Sequence, residues 1–201
     1  MLDVQYSPED VLRVTTKLKS LSDSKQNSVI ASTINKIARD FRKKEKQDIK
    51  NRFTAKKNPT PRIVRASPSR LEAQVIFPYK QRPSGSFQVR KGTKKSGAKV
   101  RIIRGGKYEE RSYNGNKGFR LSLANGSVFV RQYSSDIMKG KKKGNGQGTF
   151  EHGHPIELEV GPSYRGMAHS PEFYPQNVTE TQSHLLEELD KHIATAMKGK
   201  K

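Results

Sequence analysis

A proline-rich segment divides the sequence into two parts with different hydrophobic periods. Residues 56–69 read KKNPTPRIVRASPS, with Pro59, Pro61 and Pro68 inside ten consecutive residues. Each proline lacks a backbone N–H and disfavours helix at the residue before it, so this stretch favours an extended connector. Apolar residues recur every three or four positions before the connector and every second position after it. This change of period predicts an α+β fold.

Two amphipathic helices are predicted before the connector. Ser7 and Pro8 are typical of a helix start, with Ser7 as the N-cap and Pro8 in the first turn, and this helix extends to about Leu21. A second helix reaches Phe53 and carries an apolar stripe at helical spacing. The stripe consists of Ile30, Ile34, Ile37 and Phe41. We expect it to form packing or subunit contacts, because the rest of the helix surface is polar.

Short strands are predicted in residues 71–162, where apolar residues alternate with polar ones. The alternating positions are Leu71, Ala73, Val75, Phe87, Val89, Val100 and Ile102. Ile156, Leu158 and Val160 alternate with glutamates and predict a further strand. Glycine-rich turns separate the strands, including one at 104–107. We expect an antiparallel sheet or a partial barrel.

The Asn125–Gly126 pair predicts the tightest turn of the strand region. Asn-Gly suits a two-residue type I′ turn, because both central positions need positive φ. In that register Leu123 lies opposite Val128 and Leu121 lies opposite Val130, so one face of the hairpin is apolar.

The end of the chain predicts a terminal helix that begins near Asn177. Residues 177–180, Asn-Val-Thr-Glu, match a capping box. Leu185, Leu189 and Ile193 follow at helical spacing and are assigned, with the stripe of the second helix, to packing or subunit contact. The whole chain, residues 1–201, is predicted as a single α+β domain. Its parts are helical residues 1–53, the extended connector 54–70, a β-rich part 71–162 with basic loops, and residues 163–201 with an irregular segment and the C-terminal helix.

The formal net charge of +21 is concentrated in the middle of the chain. Residues 25–148 contain 32 Lys and Arg against seven Asp and Glu. Such a block attracts polyanions and repels itself unless a partner neutralises it. Glycine-rich basic loops at 90–99 and 139–148 are suited to contact phosphate, or an acidic protein surface, without reading sequence. Their candidate contact residues are Arg90, Lys91, Lys94, Lys95, Lys99, Lys139, Lys141, Lys142 and Lys143.

The residue types needed for catalysis or for a bound metal are sparse. The chain has no cysteine, which excludes disulfides, thiolate metal sites and thiol nucleophiles. His152 and His154 can share one side of a strand, but a site needs a third ligand, and His169, His184 and His192 have no diagnostic spacing. The sequence also contains no nucleophile elbow and no phosphate-binding loop. We therefore expect no enzymatic activity, no metal and no cofactor.

Hydropathy indicates a soluble protein with a lean core. No run of residues approaches the ~18 apolar positions of a membrane-spanning helix. The acidic N-terminus MLDVQYSPED lacks the apolar region of a secretion signal. Hydrophobic residues make up only 31% of the sequence. We therefore expect no membrane partner and a chain that completes its burial in an assembly.

Several short motifs follow one another in an order that is informative. The second helix contains an Asn-x-x-Ala element at 35–38, a Lys- and Arg-rich β block contains Phe-Val-Arg at 129–131, and residues 155–163 read Pro-Ile-x-x-x-x-Gly-Pro-Ser. In this order they resemble the minor tail protein Z family of tailed bacteriophages, over roughly residues 25–197. The segment 134–154 departs from the family pattern by a longer and more highly charged insert.

The resemblance implies a structural virion protein that completes the head-proximal end of a phage tail. Such a subunit is expected to form a homo-oligomeric ring, most simply a hexamer, at the neck of the particle. The expected partners are the tail tube or tail terminator protein, the head–tail connector proteins and the DNA end. Assembly would take place in the host cytoplasm.

Two alternatives stay open on the residues alone. A non-specific DNA-binding protein that acts through its lysine-rich loops would be a monomer or dimer whose DNA affinity falls steeply with salt. A nuclease would show metal-dependent turnover, which the scarcity of acids in residues 25–148 disfavours.

Overall fold

The computed structural model describes residues 8–93, 96–113, 116–120, 126–131 and 156–198. These residues form helices and small antiparallel sheets, so the predicted α+β fold is confirmed, and they form no closed barrel. The chain divides into two compact units, each built from separate stretches of sequence. The first contains Met1–Ile49, Pro59–Pro78 and Arg165–Lys201, and the second contains Lys50–Asn58 and Tyr79–Tyr164. The single domain stays a prediction.

The described part of the chain contains four α-helices. They are α1 (Pro8–Lys19), α2 (Asp23–Arg52), α3 (Tyr164–Ala168) and α4 (Tyr174–Lys198). α1 begins at the predicted proline, and Leu21 follows it in a turn; Ser7 lies outside the described residues. None of these four helices is long and apolar enough to cross a membrane.

A helical core joins α1, α2 and α4 in the first unit. Its buried side chains are Val14, Leu21, Val29 and Ile193. Partly buried residues around them are Leu18, Leu186, Leu189 and Ala196. Burial of each large aliphatic side chain contributes about 1.5–3 kcal/mol. The amphipathic patterns of the three helices therefore converge on one small core.

One side chain holds the connector against α2. In the connector, β1 (Arg62–Val64) pairs antiparallel with β2 (Gln74–Ile76). After β1, the Asn35 amide makes two hydrogen bonds to the backbone of Ala66. Asn35 Nδ2 donates to the Ala66 carbonyl at 2.9 Å, and Asn35 Oδ1 accepts from the Ala66 N–H at 2.9 Å. Because both backbone groups of one residue are satisfied by a single planar amide, the path of the connector along α2 is fixed.

The second unit consists of short strands in small antiparallel sheets. The strands are β3 (Arg82–Pro83), β4 (Gln88–Arg90), β5 (Lys99–Arg101), β6 (Glu109–Glu110), β7 (Ser112–Tyr113), β8 (Asn116–Lys117), β9 (Phe119–Arg120), β10 (Val128–Arg131), β11 (Ile156–Leu158) and β12 (Val160–Gly161). β4, β5 and β6 form one three-stranded sheet, and β9, β10 and β11 form another with β10 in the centre. β3 pairs with β12, and β7 pairs with β8.

The core of the second unit draws side chains from several strands and turns. Its buried apolar residues include Phe87, Ala98, Val100, Val128 and Val130. The Phe87 ring is fully buried against Gly161, where an added Cβ would lie 2.5 Å from the ring. Space therefore requires glycine at position 161, whereas the predicted turn at 104–107 uses Gly105 for its positive φ of 73°.

The β9–β10 hairpin forms, but its predicted register is wrong. Val128 pairs with Arg120, and Phe129 pairs with Phe119. The predicted Asn-Gly turn would have placed Leu123 opposite Val128, so the observed pairing is displaced by three residues. The two phenylalanine rings lie next to each other across the strands, with centroids 6.4 Å apart.

Tertiary hydrogen bonds account for the register of β10. The Val128 N–H donates to Ser84 Oγ at 2.7 Å, and the Val128 carbonyl accepts from the Glu159 N–H at 3.0 Å. Gly126 has a positive φ of 72°, as a tight turn requires. Residues 121–125 lie outside the described residues. Val128 is therefore held by contacts that are distant in sequence, which a local turn signal does not report.

The strand predicted at 156–160 is confirmed, with a break, and the helix cap predicted at Asn177 is wrong. The strand predicted at 156–160 is divided between β11 and β12, and its alternation does not bury the apolar side chains. Leu158 is 37% exposed and Val160 is 41% exposed. α4 begins at Tyr174, so Asn177 is not its N-cap but a buried residue within the helix. The Asn177 side chain faces acids of α2 instead.

Candidate polyanion and subunit-contact surfaces

Three of the predicted cations meet at one end of the β4–β5 hairpin. Arg90 pairs directly with Lys99 across the two strands, and Lys91 follows Arg90 into the loop. Arg90 and Lys91 are exposed, and Lys99 is half-buried. The Thr93 N–H donates to the Ser96 carbonyl at 2.9 Å and closes the loop. The paired strands and this hydrogen bond therefore keep the three cations together at one end of the hairpin.

The remaining predicted cations cannot be placed. Lys94, Lys95, Lys139, Lys141, Lys142 and Lys143 lie outside the described residues. Of the nine predicted contact cations, Arg90, Lys91 and Lys99 are therefore the ones that the structure describes.

An aromatic ring missed by the sequence analysis organises the hairpin cations. The guanidinium carbon of Arg90 lies 4.0 Å from the centroid of the Tyr108 ring, and that of Arg101 lies 4.7 Å from it. Arg101 also donates from Nε to Gln88 Oε1 at 2.9 Å. Cation–π contacts at exposed sites contribute about 0.5–1 kcal/mol each. Alternation along β4 predicts that Gln88 and Arg90 lie on one face of the strand. The position of Arg101 opposite Gln88 depends on the register between β4 and β5, which the sequence alone does not give.

The acidic strand β6 moderates the charge of the hairpin. Glu110 pairs with Lys99 across the sheet, and its Oε1 accepts from the Gly97 N–H at 2.7 Å. This carboxylate anchors the base of the loop and offsets part of the positive field. The exposed ends of Arg90 and Lys91 are therefore the cations best placed for an external anion.

The apolar stripe predicted on α2 is only half covered by the chain itself. All four of its members, Ile30, Ile34, Ile37 and Phe41, are half-buried. The fully buried α2 residues are Val29, Ala31, Thr33, Ala38, Glu45 and Ile49. The Phe41 ring packs edge-on against Tyr174, with centroids 6.4 Å apart. The stripe therefore contributes to internal packing and still leaves apolar surface accessible.

The predicted contact residues of α4 differ in burial. Ile193 is fully buried in the helical core, and Leu189 packs against that core. Leu185 is half-buried. Ile193 is thus a core residue of the chain, and only Leu185 and Leu189 keep surface for a neighbour.

Apolar residues line part of two clefts at the protein surface. One, of about 440 Å³, lies between α2 and α4 and is lined by Ile37 and Phe41 together with charged residues of both helices. The other, of about 610 Å³, lies in the second unit and is lined by Phe129 and Leu158 with cations that include Arg82. Each cleft combines an apolar part with charged rims, as subunit contacts commonly do.

A buried acid missed by the sequence analysis joins α2 and α4. Glu45 is fully buried, and its Oε1 accepts from Asn177 Nδ2 at 3.1 Å. The same amide donates to Asp48 Oδ2 at 2.7 Å. Burial is the main cause that raises the pKa of Glu45 to about 7; the Asn177 hydrogen bond and Lys44 act in the opposite direction, and the charge of Asp48 adds to the rise. The contact between α2 and α4 therefore depends on whether Glu45 carries a proton.

The described histidines make ordinary contacts. The His169 ring stacks on Tyr174 with centroids 4.6 Å apart, and His184 Nδ1 lies 3.3 Å from Glu187 Oε2. Within the described ranges, no group of three or more His, Cys, Asp or Glu side chains could hold a metal ion. His152 and His154 lie outside those ranges.

Comparisons with known proteins add no relative to this picture. No protein-family model matches the chain, and neither does any curated protein or solved structure. The function is therefore inferred from the residues and their geometry.

Proposed function

We propose that the protein is a structural subunit of a phage tail, a tail-completion protein at the neck of the particle. Copies of the chain form a ring at the head-proximal end of the tail, and the ring joins the tail tube or terminator to the head connector. The order of motifs at 35–38, 129–131 and 155–163 supports this role. The proposed role is structural and not enzymatic.

The apolar surface that one chain leaves uncovered carries the proposal. Leu12 is 69% exposed and Tyr79 is 82% exposed, and Leu158 opens into a cleft of the second unit. Single exposed apolar residues are common on proteins. Here, however, the predicted stripe of α2 is also only half-buried, and part of it lines the cleft between α2 and α4. A ring subunit buries such surface against its neighbours, at roughly 25 cal/mol per Å².

The size and shape of the purified chain test this proposal. Light scattering after gel filtration should give the mass of a closed oligomer, and negative-stain electron microscopy should show rings. Labelled antibody should locate the chain at the neck of purified particles. A chain that stays monomeric at high concentration, and is missing from particles, would exclude the role.

A pair of variants tests the cleft in the second unit as a subunit contact. Leu158→Asp places a charge on an exposed apolar side chain and should prevent ring formation, while the thermal unfolding temperature stays close to that of the wild type. Asn58→Asp adds the same charge at an exposed polar position and should leave the rings intact. Rings of normal size from Leu158→Asp would remove this cleft from the contact.

The ordered cations of the β4–β5 hairpin favour a second candidate function, non-specific DNA binding by a free-standing protein. Such a protein would be monomeric or dimeric and would bind duplex DNA of any sequence, with an affinity that falls steeply as salt rises. Ring formation and location in the particle separate the two candidates, because the second predicts neither.

A further inference from the structure

A second cationic surface lies in the first unit, away from the predicted basic loops in the sequence. It is a groove of about 620 Å³ between α2 and the segment Pro59–Pro61. Five cations of α2 line it, with a single acid, Asp40, among them. The cations are Lys36, Arg39, Arg42, Lys43 and Lys46.

The cations form a row along one side of α2. Lys36, Arg39, Lys43 and Lys46 follow one another at spacings of three, four and three residues. Residues at these spacings share one face of a helix. At 1.5 Å per residue the row is about 15 Å long.

Most of these charges are unneutralised. Lys36 forms an ion pair with Asp40, the one acid among the described residues that line the groove. Within the part of the chain that the structure describes, Arg39, Lys43 and Lys46 form no ion pair, and all three are exposed. The groove therefore has a strong positive potential and room for an external anion.

The second wall of the groove is fixed by the connector. Pro59 and Pro61 are buried, and Thr60 between them is exposed towards the groove region. Further along the connector, the double hydrogen bond between Asn35 and Ala66 fixes the chain on α2. Because both walls are ordered, a ligand would bind without first arranging the site.

We propose that this groove binds the phosphodiester backbone of duplex DNA. A row about 15 Å long corresponds to about four phosphates of one strand, at roughly 3.4 Å each along the duplex axis. None of the residues that line the groove is aromatic, so it offers no platform on which the bases of a single strand could stack. The contact is to the backbone and is independent of base sequence.

Equilibrium binding to a 30-base-pair duplex of arbitrary sequence tests this site in the full-length protein. Replacing Lys43 and Lys46 together by Ala should weaken binding by roughly tenfold per lysine at about 0.1 M salt. The slope of log K against log salt should become shallower by about two, because two phosphate contacts are lost. Fluorescence anisotropy over a salt series measures both quantities.

Two comparison variants make the result specific. Lys19→Ala with Lys25→Ala removes the same charge from exposed positions of the same unit and should change the slope much less. Arg90→Ala with Lys91→Ala removes the exposed hairpin cations. If the groove variant binds DNA like the Lys19 and Lys25 control, the groove is not a DNA site, whatever the hairpin does.

Competition distinguishes DNA from an acidic protein partner. Poly-glutamate should displace the duplex poorly from the wild type, and the Lys43 and Lys46 replacement should affect duplex binding more than poly-glutamate binding. Equal or greater loss for poly-glutamate would overturn the assignment to DNA. Ring formation is independent of this outcome, so the groove and the neck role can fail separately.

Discussion

Glu45 carries an ionisable group into the contact between α2 and α4. It is buried, its Oε2 has no hydrogen-bond partner among the described atoms, and the negative charge of Asp48 lies close by on the same Asn177 amide. A carboxylate in such surroundings is less stable than the neutral acid, which explains why the pKa is raised to about 7. Between the ordinary pKa of 4.5 and the folded-state pKa of about 7, the folded chain therefore holds a proton at Glu45 that the unfolded chain releases.

Replacing Glu45 by Gln should remove a pH dependence of stability. Because the folded-state pKa lies above the unfolded value, the contribution of Glu45 is fully present below about pH 4.5 and falls as the pH rises to about 7, by about 3 kcal/mol in all. The Gln variant does not titrate, so it should lose less free energy of unfolding between about pH 5 and pH 8. Urea unfolding at the two pH values measures the difference.

The exposed Glu157→Gln is the matched control and should follow the wild type. If the wild type and Glu45→Gln lose stability in parallel with rising pH, the buried proton is not at Glu45.

The roles of Glu45 and Asn177 could not be predicted from the sequence. Glu45 stands in the run FRKKEKQDIK, whose composition is that of a solvated helix face. Asn177 opens a local pattern that matches a helix cap, yet its hydrogen-bond partner is 132 residues away. Local patterns report on neighbours in sequence, and this contact joins residues that only the folded chain brings together.

At the scale of elements, the three long helices were predictable, the short helix α3 was predicted as irregular, and the strand pairings were only partly predictable. The apolar spacing in α1 and α2 is repeated over several turns, so chance matches are rare. The strands are two to four residues long. With so few residues, the hydroxyl of Ser84 and the backbone of Glu159 decide the register of β10. The apolar stripe of α2 can be read from the sequence and is half-buried, and its role in subunit contact stays a prediction. The basic groove on α2 needed the position of Pro59–Pro61.

Replacing Asn35 by Ala should loosen the connector from α2. The variant loses two hydrogen bonds and leaves the Ala66 N–H and carbonyl without their partner, which should cost about 1–3 kcal/mol of unfolding free energy. Because the connector that these bonds fix also forms one wall of the basic groove, duplex affinity should fall as well. Urea unfolding and fluorescence anisotropy measure the two effects.

Asn27→Ala makes the same change at an exposed position of α2 and should be close to neutral in both measurements. Equal stability of the two variants would show that the Asn35 amide does not hold the connector.

At the scale of the whole molecule, charge is the dominant property. Cationic surfaces occur in both compact units, as the β4–β5 hairpin and the α2 groove. The net charge of +21 means that the chain has too few acidic residues to neutralise its lysines and arginines. Association with anionic partners should therefore be fast and strongly salt-dependent.

Deleting residues 139–148 should separate folding from partner binding. The deletion removes KGKKKGNGQG, with four lysines, and removes none of the buried residues in the described part of the chain. The thermal unfolding temperature should therefore stay nearly unchanged. If the proposed neck role holds and this segment meets a partner, the joining of tails to heads in a complementation assay should fall. A variant with the four lysines replaced by Ser keeps the loop length and separates charge from length. Undiminished joining in both variants would exclude a partner for this loop.

The interleaved sequence of the first unit has a consequence for synthesis. Its core needs Ile193, which leaves the ribosome long after Val14 and Val29. The N-terminal helices of a nascent chain therefore cannot complete their core until α4 has been synthesised. The whole of the second unit, Lys50–Asn58 and Tyr79–Tyr164, is synthesised before α4. A prematurely terminated product would lack the last piece of its own helical core. A truncated copy is therefore expected to leave Val14 and Val29 without their partner Ile193 and to be less stable than a complete one.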